Sequence, residues 1–199
     1  ANNLTINTDS DLALGAALTG SGVLTIAGFT IPTTLGIGTG QAGTLQLSNA
    51  DLTNITNGWT TLIFGRTDST GAVNVGAATW NDDVIFQSET GVLTIAGAQT
   101  MGTNALTLNT NSNIALNAAL TGTGTLTIRQ AAANTTMGLG TAATGTVNLD
   151  ATELGRITNG WTNLVFVGCN DTVSFSNDRL KLSSIACFVR IVKVQSGSL

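Results

Sequence analysis

The sequence has no His, no Tyr and a single Pro (Pro32), and charged residues make up only 9% of its 199 positions. Each shortage closes off some chemistry. Without His there is no Cys–His nucleophile, and the two cysteines, Cys169 and Cys187, are not in C-x-x-C spacing and have no imidazole to share a zinc site with. No catalytic residue, metal ligand or cofactor is therefore expected. No apolar run approaches the ~20 residues of a membrane span, so no span is expected. No signal-peptide pattern opens the chain. It starts at Ala1 without Met, in the register of Thr103, and reads as a mature or excised piece of something longer.

Charge is also unevenly spread. Residues 1–178 hold all eleven acids and only Arg66, Arg129 and Arg156. The segment 179–199 holds Arg179, Lys181, Arg190 and Lys193 and no acid. An acidic body lacks the clustered cations that nucleic acid requires. The basic tail reads as a different ending with its own surface, or as an end that meets the acidic body of another subunit. Cys169 and Cys187 are a candidate disulfide, which would suit an extracellular protein; two buried free thiols are the alternative.

What is present is repetition. Leu4–Phe64 returns without a gap as Leu106–Phe166, a shift of 102 residues with roughly half the positions identical. Most other positions exchange like for like, as in Ile6/Leu108, Leu35/Met137, Leu45/Val147 and Asp51/Glu153. Inside the unit, short apolar–polar alternations such as Leu4-Thr5-Ile6, Leu24-Thr25-Ile26, Leu45-Gln46-Leu47 and Val84-Ile85-Phe86 read as strands. Gly, Asn, Asp and Ser fill the corners between them. Nothing of helical period survives, apart from an ambiguous Ala-rich patch at 131–133. Strands at 4, 24 and 45, then 106, 126 and 147, predict an all-β parallel β-solenoid of about 20 residues per coil, five coils to the unit. That reading stacks Leu24 on Leu45, and it brings Cys169 and Cys187 close to one coil apart. A β-sandwich is the rival. The repeat predicts a solenoid over 1–178 and a divergent cap or strand over 179–199.

Few motifs invite a chemical reading. Trp59 and Trp161, each in Ile-Thr-Asn-Gly-Trp-Thr, are either exposed platforms for sugar rings or plugs packed at a corner, and the flanking aliphatics favour packing. Asp82-Asp83, with Glu89 nearby, is the dense acidic group, read as a solvated turn or as an acid–base pair in a carbohydrate groove. Asp9-Ser10-Asp11 resembles a Ca²⁺ ligand pair, but its second copy, Asn111-Ser112-Asn113, would not serve a hard cation and favours turn hydrogen bonding. Thr is frequent, yet no uniform Thr-x-Thr column recurs, which argues against ice binding.

The runs Leu35-Gly-Ile-Gly-Thr-Gly40, Gly43-Thr-Leu-Gln-Leu-Ser48, Asp51-Leu-Thr-Asn-Ile-Thr-Asn-Gly-Trp59, Phe64-Gly-Arg66 and Gly71-Ala-Val-Asn-Val-Gly-Ala77 resemble repeats in filamentous-haemagglutinin-like exoproteins of two-partner secretion. The second copy matches at Met137-Gly-Leu-Gly-Thr141 and Glu153–Trp161. The resemblance covers about residues 1–178. It implies a right-handed β-helix, export through an outer-membrane partner, and a secreted surface adhesin or fibre shaft with no catalytic residues. The expected protein is thus non-enzymatic and extracellular, self-associating or part of a longer parent chain, with a carbohydrate or protein receptor at a cell surface. A carbohydrate-binding or carbohydrate-cleaving β-helix and an ice-binding module are the alternatives.

Overall fold

The computed structural model describes residues 2–132, 135–141 and 144–168, together with the backbone of 174–176 and 190–192. The fold is mostly β, with parallel sheets. The first half carries β1 (Leu4–Asn7), β2 (Val23–Ala27), β3 (Leu35–Ile37), β4 (Leu45–Leu47), α1 (Asn49–Asn54), β5 (Thr61–Gly65), β6 (Val73–Val75), β7 (Ala78–Thr79), β8 (Val84–Gln87), β9 (Leu93–Ile95) and β10 (Gln99–Thr100). The second carries β11 (Leu106–Asn109), β12 (Ile114–Leu116), β13 (Leu120–Thr121), β14 (Thr125–Arg129), β15 (Met137–Gly140), β16 (Val147–Leu149), α2 (Ala151–Leu154), β17 (Asn163–Val167), β18 (Ser174–Ser176) and β19 (Arg190–Val192).

One long sheet organises the molecule, in the order β1-β2-β5-β8-β11-β14-β17-β19. Its neighbours are parallel as far as β17, and β19 closes the far edge antiparallel. In-register pairing puts like residues in files. Leu4, Leu24, Leu62, Val84, Leu106, Leu126 and Leu164 form one inward file; Ile6, Ile26, Phe64, Phe86, Leu108, Ile128 and Phe166 form the other. The residue between them alternates to the outside, as the pleat requires. Full burial of each such side chain contributes about 1.5–3 kcal/mol.

The same registers correct the predicted spacing. The chain enters this sheet at Leu4, Leu24, Leu62 and Val84 before the second unit begins at Leu106, so the unit comprises four passes of unequal length and not five equal ones. Leu24 lies between Leu4 and Leu62; Leu45 pairs with Leu35 in a different sheet, ordered β12-β9-β6-β3-β4. In the long pass, from Leu24 to Leu62, β3 is followed by a parallel partner from the same pass, β4, and the Gln46 carbonyl then accepts from Leu12 N–H of the first pass (3.0 Å). The second unit repeats this with β15 and β16. Helix α1 then carries the chain to Ile55, which bridges to Leu18, and Ile157 bridges likewise to Leu120. A third sheet, β13-β10-β7, completes the wall between these bridges.

The two helices were not foreseen, because six and four residues are too few to show a helical period. Their signal is in the caps. Ser48 with Asp51, and Asp150 with Glu153, form reciprocal capping boxes. Each N3 carboxylate also reaches across to the previous pass: Asp51 accepts from Leu14 N–H (2.7 Å) and Glu153 from Leu116 N–H (3.1 Å).

The core is one apolar cluster, with the aromatic trio Phe64, Trp80 and Phe86 at centroid distances of 5.5–5.7 Å. Two of the polar side chains that enter it, Trp80 and Gln99, are paired, which offsets the cost of burying them. Trp80 Nε1 donates to Gln99 Oε1 (2.8 Å), and Gln99 Nε2 donates to the Gly76 carbonyl (2.6 Å). At the corner beyond the long sheet, hydroxyls step from pass to pass. Ser69 donates to Ile31 O (2.9 Å), Ser88 to Gly71 O (2.9 Å) and Thr110 to Gly91 O (3.1 Å).

Candidate functional site

The shared Asn-Gly-Trp motif builds a corner. Gly58 and Gly160 adopt φ of +126° and +130°, a region that disfavours side chains. The turn then drives the indole inward. Trp59 is 5% and Trp161 3% exposed, so neither ring offers a face on which a sugar could stack. Gly20 and Gly122 lie directly against these rings: a Cβ would stand 2.1 Å from Trp59 and 2.7 Å from Trp161. Trp161 Nε1 donates to the Leu120 carbonyl (3.2 Å).

The acidic pair serves the backbone on both sides of its own pass. Asp82 is buried and accepts from Gly58 N–H of the preceding pass (3.0 Å). Asp83 is exposed and accepts from Ala105 N–H of the following pass (2.8 Å). Asp82 and Asp83 thus bind the backbone of opposite neighbouring passes, and Glu89 lies beyond the other end of β8. The three carboxylates do not converge on a common cleft. Among the described residues no group of three or more His, Cys, Asp or Glu could hold a metal ion.

Asp9 and its copy Asn111 do one job. Asp9 accepts from Thr30 N–H (2.9 Å) and from the Thr33 hydroxyl; Asn111 Oδ1 accepts from Ala132 N–H (2.8 Å) and the Thr135 hydroxyl (3.0 Å). The Thr33 hydroxyl and then the Thr30 N–H hold the Asp9 carboxyl below its ordinary pKa.

Asp9 thereby fixes a turn that is the most distinctive surface of the first unit. Phe29 is 69% and Ile31 45% exposed, in the sequence Phe29-Thr-Ile-Pro32. Arg66 Nη1 donates to the Phe29 and Gly28 carbonyls (2.8 and 3.3 Å). The Arg66 guanidinium also pairs with Asp68 (2.7 Å), which raises its own pKa and lowers that of Asp68. The turn is thus held by Asp9 from one pass and Arg66 from the next. The second unit has Ala131 where the first has Phe29. Sequence reasoning passed over this turn; the clue was the loss of identity between the copies at 29–32.

A second surface was also missed. Thr19, Thr56, Thr79, Thr100, Thr121 and Thr158 each follow the bridging residue of the third wall, giving a file of one Thr per pass. The Thr56 and Thr158 hydroxyls donate to the Leu18 and Leu120 carbonyls (3.1 and 2.9 Å). The file escaped notice because passes of unequal length hide it from any fixed spacing.

Cys169 and Cys187 lie outside the described residues, as does the tail 179–199 apart from the β19 backbone. Among the described residues no helix is long and apolar enough to cross a membrane. No protein-family model, no curated protein and no solved structure matches this chain.

Proposed function

We propose that the chain is a stretch of right-handed parallel β-helix that acts as a non-enzymatic, secreted surface adhesin or extracellular fibre element. The observation that carries this reading is the repetition of pairing register: Leu4 on Leu24 on Leu62 recurs as Leu106 on Leu126 on Leu164. A wall made of identical registers extends by adding passes, and its load is shared among backbone bonds and files of aliphatics. Its outer surface is Thr, Asn and Ser, with little charge. The fixed Phe29–Ile31 turn supplies an apolar contact to a receptor at a cell surface, and export uses an outer-membrane partner.

Electron microscopy and a binding assay test the two halves of this reading. Rods or filaments are expected, with an axial repeat near four strand spacings, about 19 Å. Strictly monomeric particles at micromolar concentration, together with no retention on any cell surface, contradict it. Phe29→Ser with Ile31→Ser is expected to reduce cell attachment at least about tenfold, the effect of losing a small apolar hot spot, with an unchanged melting temperature. The carbohydrate alternative is weakened by buried indoles and divergent carboxylates. Ice binding has in its favour the Thr file, which is a single row and has two of its hydroxyls engaged by the backbone.

A further inference from the structure

We infer that the two Asn-Gly corners are sites of spontaneous self-modification with water as the co-reactant, and that Asp82 holds the first of them shut. This goes beyond the adhesive reading and needs only that neighbouring passes touch. Asn57-Gly58 and Asn159-Gly160 are the two Asn-Gly pairs of the sequence, and each lies in the same hexapeptide, Ile-Thr-Asn-Gly-Trp-Thr. Both asparagines and both glycines are exposed. Other asparagine amides are occupied: Asn74 Nδ2 donates to the Ala42 carbonyl (2.7 Å) and Asn104 Nδ2 to the Trp80 carbonyl (3.2 Å). Among the described residues nothing engages the side chains of Asn57 and Asn159. A glycine that follows asparagine has no Cβ to shield its nitrogen.

The chemistry is a ring closure. The Gly nitrogen gives up its proton and attacks Cγ of the preceding Asn side chain. A bond forms from that nitrogen to Cγ, the Cγ–Nδ2 bond breaks, and the side-chain nitrogen leaves as ammonia. One water then opens the cyclic imide. Opening at Cγ gives an aspartyl residue. Opening at the main-chain carbonyl gives an isoaspartyl link, which lengthens the main chain just ahead of the buried indole. The two corners match closely around this chemistry. Gly58 and Gly160 have φ of +126° and +130°, and Thr60 and Thr162 N–H donate to the Gly22 and Gly124 carbonyls, each at 2.9 Å. They differ at the glycine nitrogen. Gly58 N–H donates to the buried Asp82 of the next pass (3.0 Å). That bond keeps the proton on the nitrogen, and a negative charge beside it disfavours the amide anion that must attack. The residue 102 positions beyond Asp82 is Ser184, which brings no carboxylate and lies outside the described residues. Among the described residues Gly160 N–H has no acceptor. Asp82 is therefore a protecting residue for Asn57, and Asn159 converts first.

Peptide mapping of the full chain, incubated in mildly alkaline buffer, tests this by measuring aspartyl and isoaspartyl product at each corner. The shared hexapeptide supplies the control: in concentrated urea both sites are expected to convert at one rate. In the folded chain Asn159 is expected to convert at least about tenfold faster than Asn57, the effect of one hydrogen bond to a charged group. Asp82→Ala is expected to raise Asn57 to the Asn159 rate and to leave Asn159 unchanged. Asp82→Asn keeps an acceptor without the charge, and its Asn57 rate is expected to fall between those of the unaltered chain and Asp82→Ala. Hydrogen exchange of residues 62–65 reports whether each variant keeps the fold; if Asp82→Ala loses it, Asp82→Asn and the two sites of the unaltered chain decide. Equal rates in the folded chain, or faster conversion at Asn57, overturn the proposal. Slower conversion of Asn57 in Asp82→Ala makes the carboxylate a base and not a lock, and overturns it too. A difference between the sites that persists in urea overturns the assignment to Asp82. Conversion in urea with none at either corner of the folded chain overturns the sites themselves.

Discussion

Asp9 is the residue at which a metal-like motif becomes a structural one. Its copy Asn111 accepts equivalent bonds without a charge, so Asp9→Asn is expected to leave the denaturation midpoint at pH 7 nearly unchanged, whereas Asp9→Ala lowers it. The pH dependence follows from the sign of the shifts. Asp9 and Asp51 both sit below the ordinary value of 3.8: Asp9 through the Thr33 hydroxyl, and Asp51 because burial, which pushes its carboxyl up, is outweighed by hydrogen bonds from Ser48 and Leu14. A carboxyl with a depressed folded pKa contributes above its unfolded pKa, and that contribution is lost as pH falls through the folded value. Urea midpoints are expected to be flat from about pH 7 to 5 and to fall below about pH 4, with a shallower acid limb in Asp9→Asn. The glycines under the indoles give a packing test. Gly20→Ala and Gly122→Ala each displace a buried ring and are expected to cost about 1–3 kcal/mol in denaturant melts. At this scale the sequence was legible wherever two copies could be compared. The Asp-to-Asn exchange showed that an acceptor, not a charge, was kept. At Phe29 the second copy has Ala131, so the comparison marks the position as divergent without showing what an exposed ring there does.

Short strands were legible from alternation of period two, because one side of every strand faces a single core. The helices were not, since a single turn is specified by its cap and not by a periodic face. Ser48→Ala removes the α1 N-cap and is expected to destabilise the fold by about 0.5–2 kcal/mol in denaturant melts, with faster exchange confined to residues 49–56. Asp51→Ala is expected to cost more, because it also strips the acceptor from Leu14 N–H in the neighbouring pass. Element order misled in one respect. β4 has the composition of a new pass, Leu-x-Leu, but is a second rung from the same pass. An inward Leu pair satisfies either wall equally, so composition could not say which sheet it joined. What decides is the capping box at Ser48, which turns the chain toward Ile55 and the third wall and away from the long sheet.

At the scale of the molecule, the duplication is written in the sequence and the number of passes is not. Passes that begin at Leu4, Leu24, Leu62 and Val84 keep one register in the long sheet, while the corners absorb the extra length of the second. Thr25 accordingly has Ile63, across the long pass, as its outward neighbour, and not Gln46. Cross-linking measures this directly. In a background carrying Cys169→Ser and Cys187→Ser, Thr25→Cys with Ile63→Cys brings two thiols onto adjacent parallel strands, about 5 Å apart at Cα and within disulfide reach. That pair is expected to oxidise readily in the folded protein, and Thr25→Cys with Gln46→Cys to stay reduced. Ready closure of the 25–46 pair with none at 25–63 would restore coils of equal length and contradict the account.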